Sequence, residues 1–325
     1  MSDAAAGALQ ARRAISADAH LLRLLDSRPR GRVHSVFART VNIEVEGGDL
    51  VTLACRSVDN APDTVVIDVE GFADSGIGRG DRVDVAPGTL GVGSLRVCLD
   101  GVSSWSVALP TYPRDDARLR ANLHWVRDRL RRTDHRSHLP GQGRSGDPFA
   151  DASRAALEAR SAALCAALLH ADLDAARAGA ATMVGLGPGL TPSGDDFLVG
   201  LFAILNVAKS PCHPMRALCG DVVAIARTST NAISVAALAN AARGRVRESI
   251  HALARELIDG APGGLRPALD RVLAIGATSG SDIVAGLVSG LSLNLRMRAN
   301  AVRSRARCLR PAGLRPLRGR RSTYP

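Results

Sequence analysis

The residues of this chain best suited to chemistry stand together in GLGPGLTPSGDDFLVGL, residues 185–201. Gly187 and Gly189 free the backbone to turn several N–H groups toward one point, and Thr191, Ser193 and Gly194 lead into a run that reads as a helix start. Amides converging at a helix N-terminus, where the macrodipole adds partial positive charge, bind phosphate or carboxylate. The expected anion contacts are therefore Gly187, Gly189, Leu190, Thr191, Ser193 and Gly194. No lysine or arginine accompanies the loop, which separates it from a Walker-type phosphate loop. Asp195 and Asp196 follow directly. Two carboxylates repel a neighbouring anion unless one bonds backbone, keeps a proton or holds a cation. Mg2+ is thus the one cofactor the carboxylate pair leaves open, and no other is indicated.

The motif occurs twice. TSGSDIVAGL, residues 278–287, repeats TPSGDDFLVGL, residues 191–201, once Pro192 is treated as a one-residue insertion. Thr278, Ser279, Gly280 and Asp282 then match Thr191, Ser193, Gly194 and Asp196, and a glycine precedes each copy, Gly189 and Gly276. Asp195, Asp196 and Asp282 are the candidate catalytic acids; Thr278, Ser279 and Gly280 join the binding set. Both following helices are apolar on nearly every face, the mark of burial. Ser-x-x-Asp is also the shape of a capping box worth about 1 kcal/mol, and capping alone accounts for Ser193, Asp196, Ser279 and Asp282. Between the copies, RTSTNAISVAALANAARG is expected to place Arg227, Asn231, Ser234 and Leu238 on one helical face with Thr230 beside them; these polar side chains either bond neighbouring backbone or meet the two helix ends and complete a pocket.

These residues need a frame. Residues 1–29 have a helical look, with Leu21, Leu22, Leu24 and Leu25 flanked by arginines. From residue 30 to 114, short alternating runs separated by Gly, Asp and Pro turns predict a mostly antiparallel β domain, with a hairpin at Gly47-Gly48. Residues 115–298 read as a mostly helical domain broken at Gly and Pro, with SHLPGQGRSGDPFAD as a loop, and this domain owns the motifs. The fold class is α+β.

Charge narrows the function. Of the 42 Lys and Arg, ten lie from Arg296 onward, where there is no acid, so the remaining chain carries 32 bases against 31 acids. Residues 299–325 read as a basic, disordered tail. A nearly neutral body with 3% aromatic residues argues against specific nucleic-acid binding. No apolar run approaches the ~18 residues of a membrane span, and six scattered cysteines call for no disulfide staples, so a cytoplasmic protein is expected. Cys212, His213 and Cys219 lack the second ligand pair of a metal site. His124, His135, His138, His170 and His251 have no partner at a telling spacing.

GLGPGLTPSGDDFLVGL, TSTNAIS and IGATSGSDIVAGL, in this order and spacing, resemble the signature of the AllH-like family of oxamate carbamoyltransferase subunits. The resemblance covers roughly residues 30–295. It implies the conversion of oxalurate and phosphate to oxamate and carbamoyl phosphate in allantoin and purine catabolism, with AllF-like and AllG-like partner subunits. It implies that the amides around Gly187, Gly189 and Gly194 hold phosphate, that Thr191, Ser193, Thr278 and Ser279 position it, and that Thr230, Asn231 and Ser234 face the organic acid. Asp196 and Asp282 would orient the loops or hold a cation. The Ser-x-Arg-Thr loop of ordinary transcarbamoylases is absent, and a histidine often stands in this family where the chain has Ala277. The competing readings are a non-catalytic metabolite-binding or scaffolding subunit and an Asp/Mg-dependent hydrolase.

Overall fold

A computed structural model describes residues 10–132 and 148–308. The first element departs from the helical expectation. β1 (Gln10–Asp18) is a strand, and only α1 (Ala19–Asp26) is helical. The Ala- and Arg-rich run has no strong strand propensity of its own; pairing on both sides decides its conformation, since local propensity is a weak prior. β2 (Gly31–Val36), β3 (Thr40–Val45), β4 (Leu50–Cys55), β5 (Thr64–Ile67), β6 (Arg82–Ala86), β7 (Thr89–Val92), β8 (Leu95–Cys98) and β9 (Ser103–Trp105) complete the unit.

The sheet runs β5-β4-β3-β2-β6-β7-β8-β1, and β1 returns to pair with β5, closing an eight-stranded barrel; β9 continues along the far end of β1. The expected antiparallel sheet is therefore a closed, mixed barrel: β1 lies parallel to β8 and β9, and β4 lies parallel to β5. The β3–β4 hairpin turns at Gly47 and Gly48, both at positive φ, as the glycine pair predicts. Eight strands leave an interior that side chains can fill. Val33, Ile43, Leu53, Val65, Leu90 and Val97 fill it, and Leu21 and Leu25 pack α1 into the same cluster.

The helical unit comprises α2 (Ala117–Arg132), α3 (Pro148–Leu169), α4 (Leu173–Ala181), α5 (Ser193–Leu205), α6 (Ala217–Ser229), α7 (Ala232–Ala241), α8 (Glu248–Asp259), α9 (Pro262–Leu273) and α10 (Ser279–Cys308). α10 continues ten residues past the expected start of the tail at 299, and the rest of that tail lies outside the described residues. The predicted loop at 137–151 also lies outside them up to residue 147, and α3 begins at Pro148. The five cysteines at 55, 98, 165, 212 and 219 are free thiols. Among the described residues no helix is long and apolar enough to cross a membrane.

The centre of the unit is the α5–α10 pair. Every residue of α5 is buried. A Cβ added at Gly200 would meet the Ile283 carbonyl oxygen at 2.1 Å, and one added at Gly286 would meet the Phe197 oxygen at 2.1 Å. The two helices therefore touch backbone to backbone, in parallel, with the repeated glycines facing each other. Glycine is required on both sides of this crossing.

Gly200→Ala or Gly286→Ala should destabilise the protein by about 1–3 kcal/mol through overpacking. Gly220→Ala, on the exposed face of α6 with no atom within 4 Å of the new methyl, should instead gain about 0.5–1 kcal/mol. Thermal melts in which the three variants behave alike would refute the close-crossing account.

Candidate functional site

The duplication is legible in the local hydrogen bonds. Gly194 N–H donates to the Leu186 carbonyl and Asp196 N–H to that of Pro192; Gly280 N–H donates to Ile275 and Asp282 N–H to Thr278. Gly194 and Gly280 press against the end of the preceding segment, where a Cβ would lie 1.9 Å from the Met183 oxygen and 2.0 Å from the Val272 oxygen. The register differs from the one-residue insertion read from the sequence. Gly187, at φ 105°, packs on Ser193 as Gly276, at φ 59°, packs on Ser279. Gly276 therefore matches Gly187 rather than Gly189, and the first loop is three residues longer than the second.

The capping-box expectation fails in an informative way. Pro192, not Ser193, is the N-cap of α5, and no side chain caps it. The serines and acids instead pair across the two copies. Ser279 and Thr191 face Asp196, and Ser193 faces Asp282. Thr191 Oγ1 and Ser279 Oγ hydrogen-bond at 2.8 Å, joining the loops directly. Yet Asp196 Oδ2 and both oxygens of Asp282 lack a hydrogen-bond partner, so the facing hydroxyls fall short of satisfying either acid. Burial pushes the Asp196 carboxyl up to about 7, against the Ser279 and Thr191 hydroxyls. Burial likewise pushes Asp282 up to about 8, against Ser193, and the Asp196 charge adds to the rise.

Asp195 has a different task. Its Oδ1 accepts from Gly185 N–H at 2.9 Å and its Oδ2 from the Thr230 hydroxyl at 2.6 Å, fully buried. It ties the first loop to the α6–α7 junction. The expectation that Arg227, Asn231, Ser234 and Leu238 share one helical face is corrected here, because the helix breaks at Thr230, whose backbone is extended. Asn231 caps α7 by accepting from Ile233 and Ser234 N–H, and its Nδ2 donates to the Leu190 carbonyl at 2.8 Å. Thr230, Asn231 and Ser234 brace the loop; they do not line the cavity beside it.

That cavity, about 340 Å³, lies between the barrel and the helical unit. Leu190, Thr191, Asp196 and Ser279 reach it, while Gly187, Gly189, Ser193, Gly194, Thr278, Gly280, Asp195 and Asp282 stand outside its lining. Its walls are largely apolar, including Val58, Val199, Ile233, Ile250 and Ile283. Asn240 also lines it. The Asn240 Nδ2 donates to Asp63 Oδ2 at 2.8 Å and to the Ala236 carbonyl at 3.1 Å, which fixes the amide orientation, and its Oδ1 has no partner.

A second compartment of about 530 Å³ adjoins it, sharing Phe37, Thr40, Val58, Arg247 and Ile275. It supplies the cations that the glycine loop lacks, Arg39, Arg247 and Arg271, together with Ser57, Asp59, Ser249 and Gly276. Arg247 pairs with Asp59, its Nε at 3.0 Å. Burial works to raise the Asp59 carboxyl, but the Arg247 guanidinium and the hydrogen bonds from Arg247 and Ser249 prevail and hold it below the usual carboxylate range. Sequence spacing offers no route to this group, because Arg39, Asp59, Arg247 and Arg271 meet only when the barrel docks. The docking is specific: Arg245 Nη2 lies 2.5 Å from Asp18 and 2.8 Å from Asp63, and Asn60 Nδ2 donates to Glu248 at 2.9 Å. Among the described residues, Asp18, His20 and Asp63 are the acids and histidine whose ligand atoms gather closely, and the Arg245 guanidinium already bridges the two acids. The motif acids do not form such a group.

The architecture defines an α+β protein in which a closed barrel abuts a helical unit built on a duplicated loop-helix motif. Residues 13–106 match the AllH family N-terminal domain, and residues 183–291 match the family described as oxamate carbamoyltransferase subunit AllH. The chain belongs to the AllH family. No solved structure matches it.

The raised carboxyls give stability a definite pH dependence. Asp282 keeps its proton in the folded protein while the unfolded chain loses it near pH ~4. The folded state thus binds more protons, and this contribution is full below pH ~4 and is lost as pH rises toward about 8. Asp282→Asn should remove that slope, so that the variant gains on the wild type between these limits in urea melts. A difference between the two that does not change with pH would contradict the buried-acid account.

Proposed function

We propose that this chain is a subunit of an oxamate-carbamoyltransferase-like enzyme, acting in the cytoplasm with AllF-like and AllG-like partners in allantoin and purine catabolism. Its substrates in this reading are small anions: oxalurate, phosphate, oxamate and carbamoyl phosphate. The observation that carries the reading is Asp196, a buried acid with an unpartnered oxygen, in the wall of an apolar cavity where two parallel helices bring their N-termini together. Parallel macrodipoles repel at such a junction, and a bound anion relieves the repulsion. Among the described residues the amides of Leu190 and Thr191, which line the cavity, have no hydrogen-bond partner and are free to receive it. Asn240 Oδ1, fixed as an acceptor, suits the NH2 of a carbamoyl group.

In this reading the two carboxylates beside the anion have separate roles. Asp195 is committed to backbone and Thr230, and burial raises Asp196 to about 7, so that it can hold or release a proton near neutrality. In the reaction, a phosphate oxygen attacks the carbamoyl carbon of oxalurate and the bond from that carbon to the oxamate nitrogen breaks. Asp196 donates its proton to the departing nitrogen and is reprotonated by the proton that the phosphate oxygen releases. A group titrating near the working pH is suited to both steps. Asp282, fully buried and facing Ser193, keeps its proton and stays neutral beside Asp196, whose charge raises it further.

With the partner subunits present, Asp196→Asn should lower kcat about 100-fold or more while circular dichroism and melting temperature stay close to wild type. Undiminished turnover would favour a non-catalytic scaffolding subunit, and Mg2+-dependent hydrolysis by this chain alone would favour a hydrolase.

A further inference from the structure

The basic compartment is not used by the anion site at the two helix ends, and its chemistry is specific. Arg39, on the β2–β3 turn, and Arg271, in the last turn of α9, both line it; among the described residues neither guanidinium has a hydrogen-bond or ion-pair partner. Arg247 lines it too, but Asp59 compensates its charge, and Asp59 is itself held by Arg247 and by Ser249 N–H at 2.9 Å. The balance in the compartment is therefore two uncompensated positive charges. Ser249 adds a second sign. It is 4% exposed and lines the compartment, and its hydroxyl faces Asp59 without reaching hydrogen-bond geometry to it or to any other described residue. A buried hydroxyl left unmet costs free energy unless a ligand satisfies it. Gly276, at positive φ, brings the shorter glycine loop to the same wall.

We propose that Arg39, Arg271 and Ser249 form a second oxyanion site, separate from the α5 loop, that binds a phosphate dianion. Two forked guanidinium groups match the charge and the several oxygens of a phosphate, and a hydroxyl donor completes the shell. A monocarboxylate would leave one arginine uncompensated. Because the two compartments share Phe37, Thr40 and Ile275, a phosphate held here sits beside an organic acid in the apolar compartment. The inference deepens the proposed function by giving the second anion of the reaction a place, and it rests on that reading only for the use to which the phosphate is put.

The test is calorimetric titration of the full chain with inorganic phosphate and, in a second arm, with carbamoyl phosphate, to distinguish free phosphate from a phosphoryl group. Each arm is run on the wild type, Arg271→Ala, the Arg39→Ala/Arg271→Ala double variant, Ser249→Ala and Asp196→Asn. Both arginines are surface side chains, so their loss should leave the fold intact. Saturable binding weakened about tenfold or more by Arg271→Ala, abolished in the double variant, weakened by Ser249→Ala and kept in Asp196→Asn establishes the site. Binding that is untouched in the double variant but lost in Asp196→Asn overturns it and leaves the α5 loop as the phosphate site, with the proposed function standing. No phosphate or carbamoyl phosphate binding to the wild type also overturns it, while the turnover assay of Asp196→Asn judges the proposed function on its own.

Discussion

Everything at the centre of this molecule depends on one contact, the backbone-to-backbone crossing of α5 and α10 at Gly200 and Gly286. Two side-chain hydrogens permit it. Close approach in parallel brings equivalent residues opposite each other, so that the first turns of both helices, with their serines and acids, meet at one end. The cost is electrostatic as well as steric, since two positive helix ends and two acids are forced together out of water. The acids answer by holding protons, Asp196 up to about 7 and Asp282 up to about 8. Packing thus sets the chemistry available at the site.

The second constraint is the clasp between barrel and helices. The β4–β5 loop, through Asp59, Asn60 and Asp63, grips the α7–α8 turn at Arg245, Arg247 and Glu248, while Asp18 at the end of β1 shares the Arg245 Nη2 with Asp63. Partly buried pairs of this kind contribute less to net stability than to register, because removing one member leaves the other unpaired. Here register matters. It decides that Phe37, Thr40 and Val58 of the barrel, rather than solvent, form the far wall of the cleft.

Much of this was legible in the chain itself, because its causes are local. The glycine pair of the β3–β4 hairpin, the order of strands then helices, the burial of α5 and the duplicated motif all follow from period and turn chemistry, while the closure of the strands into a mixed barrel does not. What escaped was set by distant pairing. β1 looks helical because its strand character comes from β5, β8 and β9. The capping box looked local, yet its serines face the acid of the other copy, and the break at Thr230 comes from Asp195 thirty-five residues earlier. Arg39 and Arg271 are unremarkable as letters, and no spacing rule joins a barrel turn to the end of a helix more than two hundred residues on.

The first glycine loop is three residues longer than the second, and those residues carry Leu190, more than half exposed, into the cleft. Without them the pair of motifs would be close to a twofold, and a molecule lying across the axis would meet the same surroundings in either orientation. With them the halves are unequal: one offers an apolar tip anchored by Asn231, the other a bare glycine turn beside a basic wall. An internal duplication has in this way acquired a head and a tail. A guest with two unlike ends has one orientation in which both are matched.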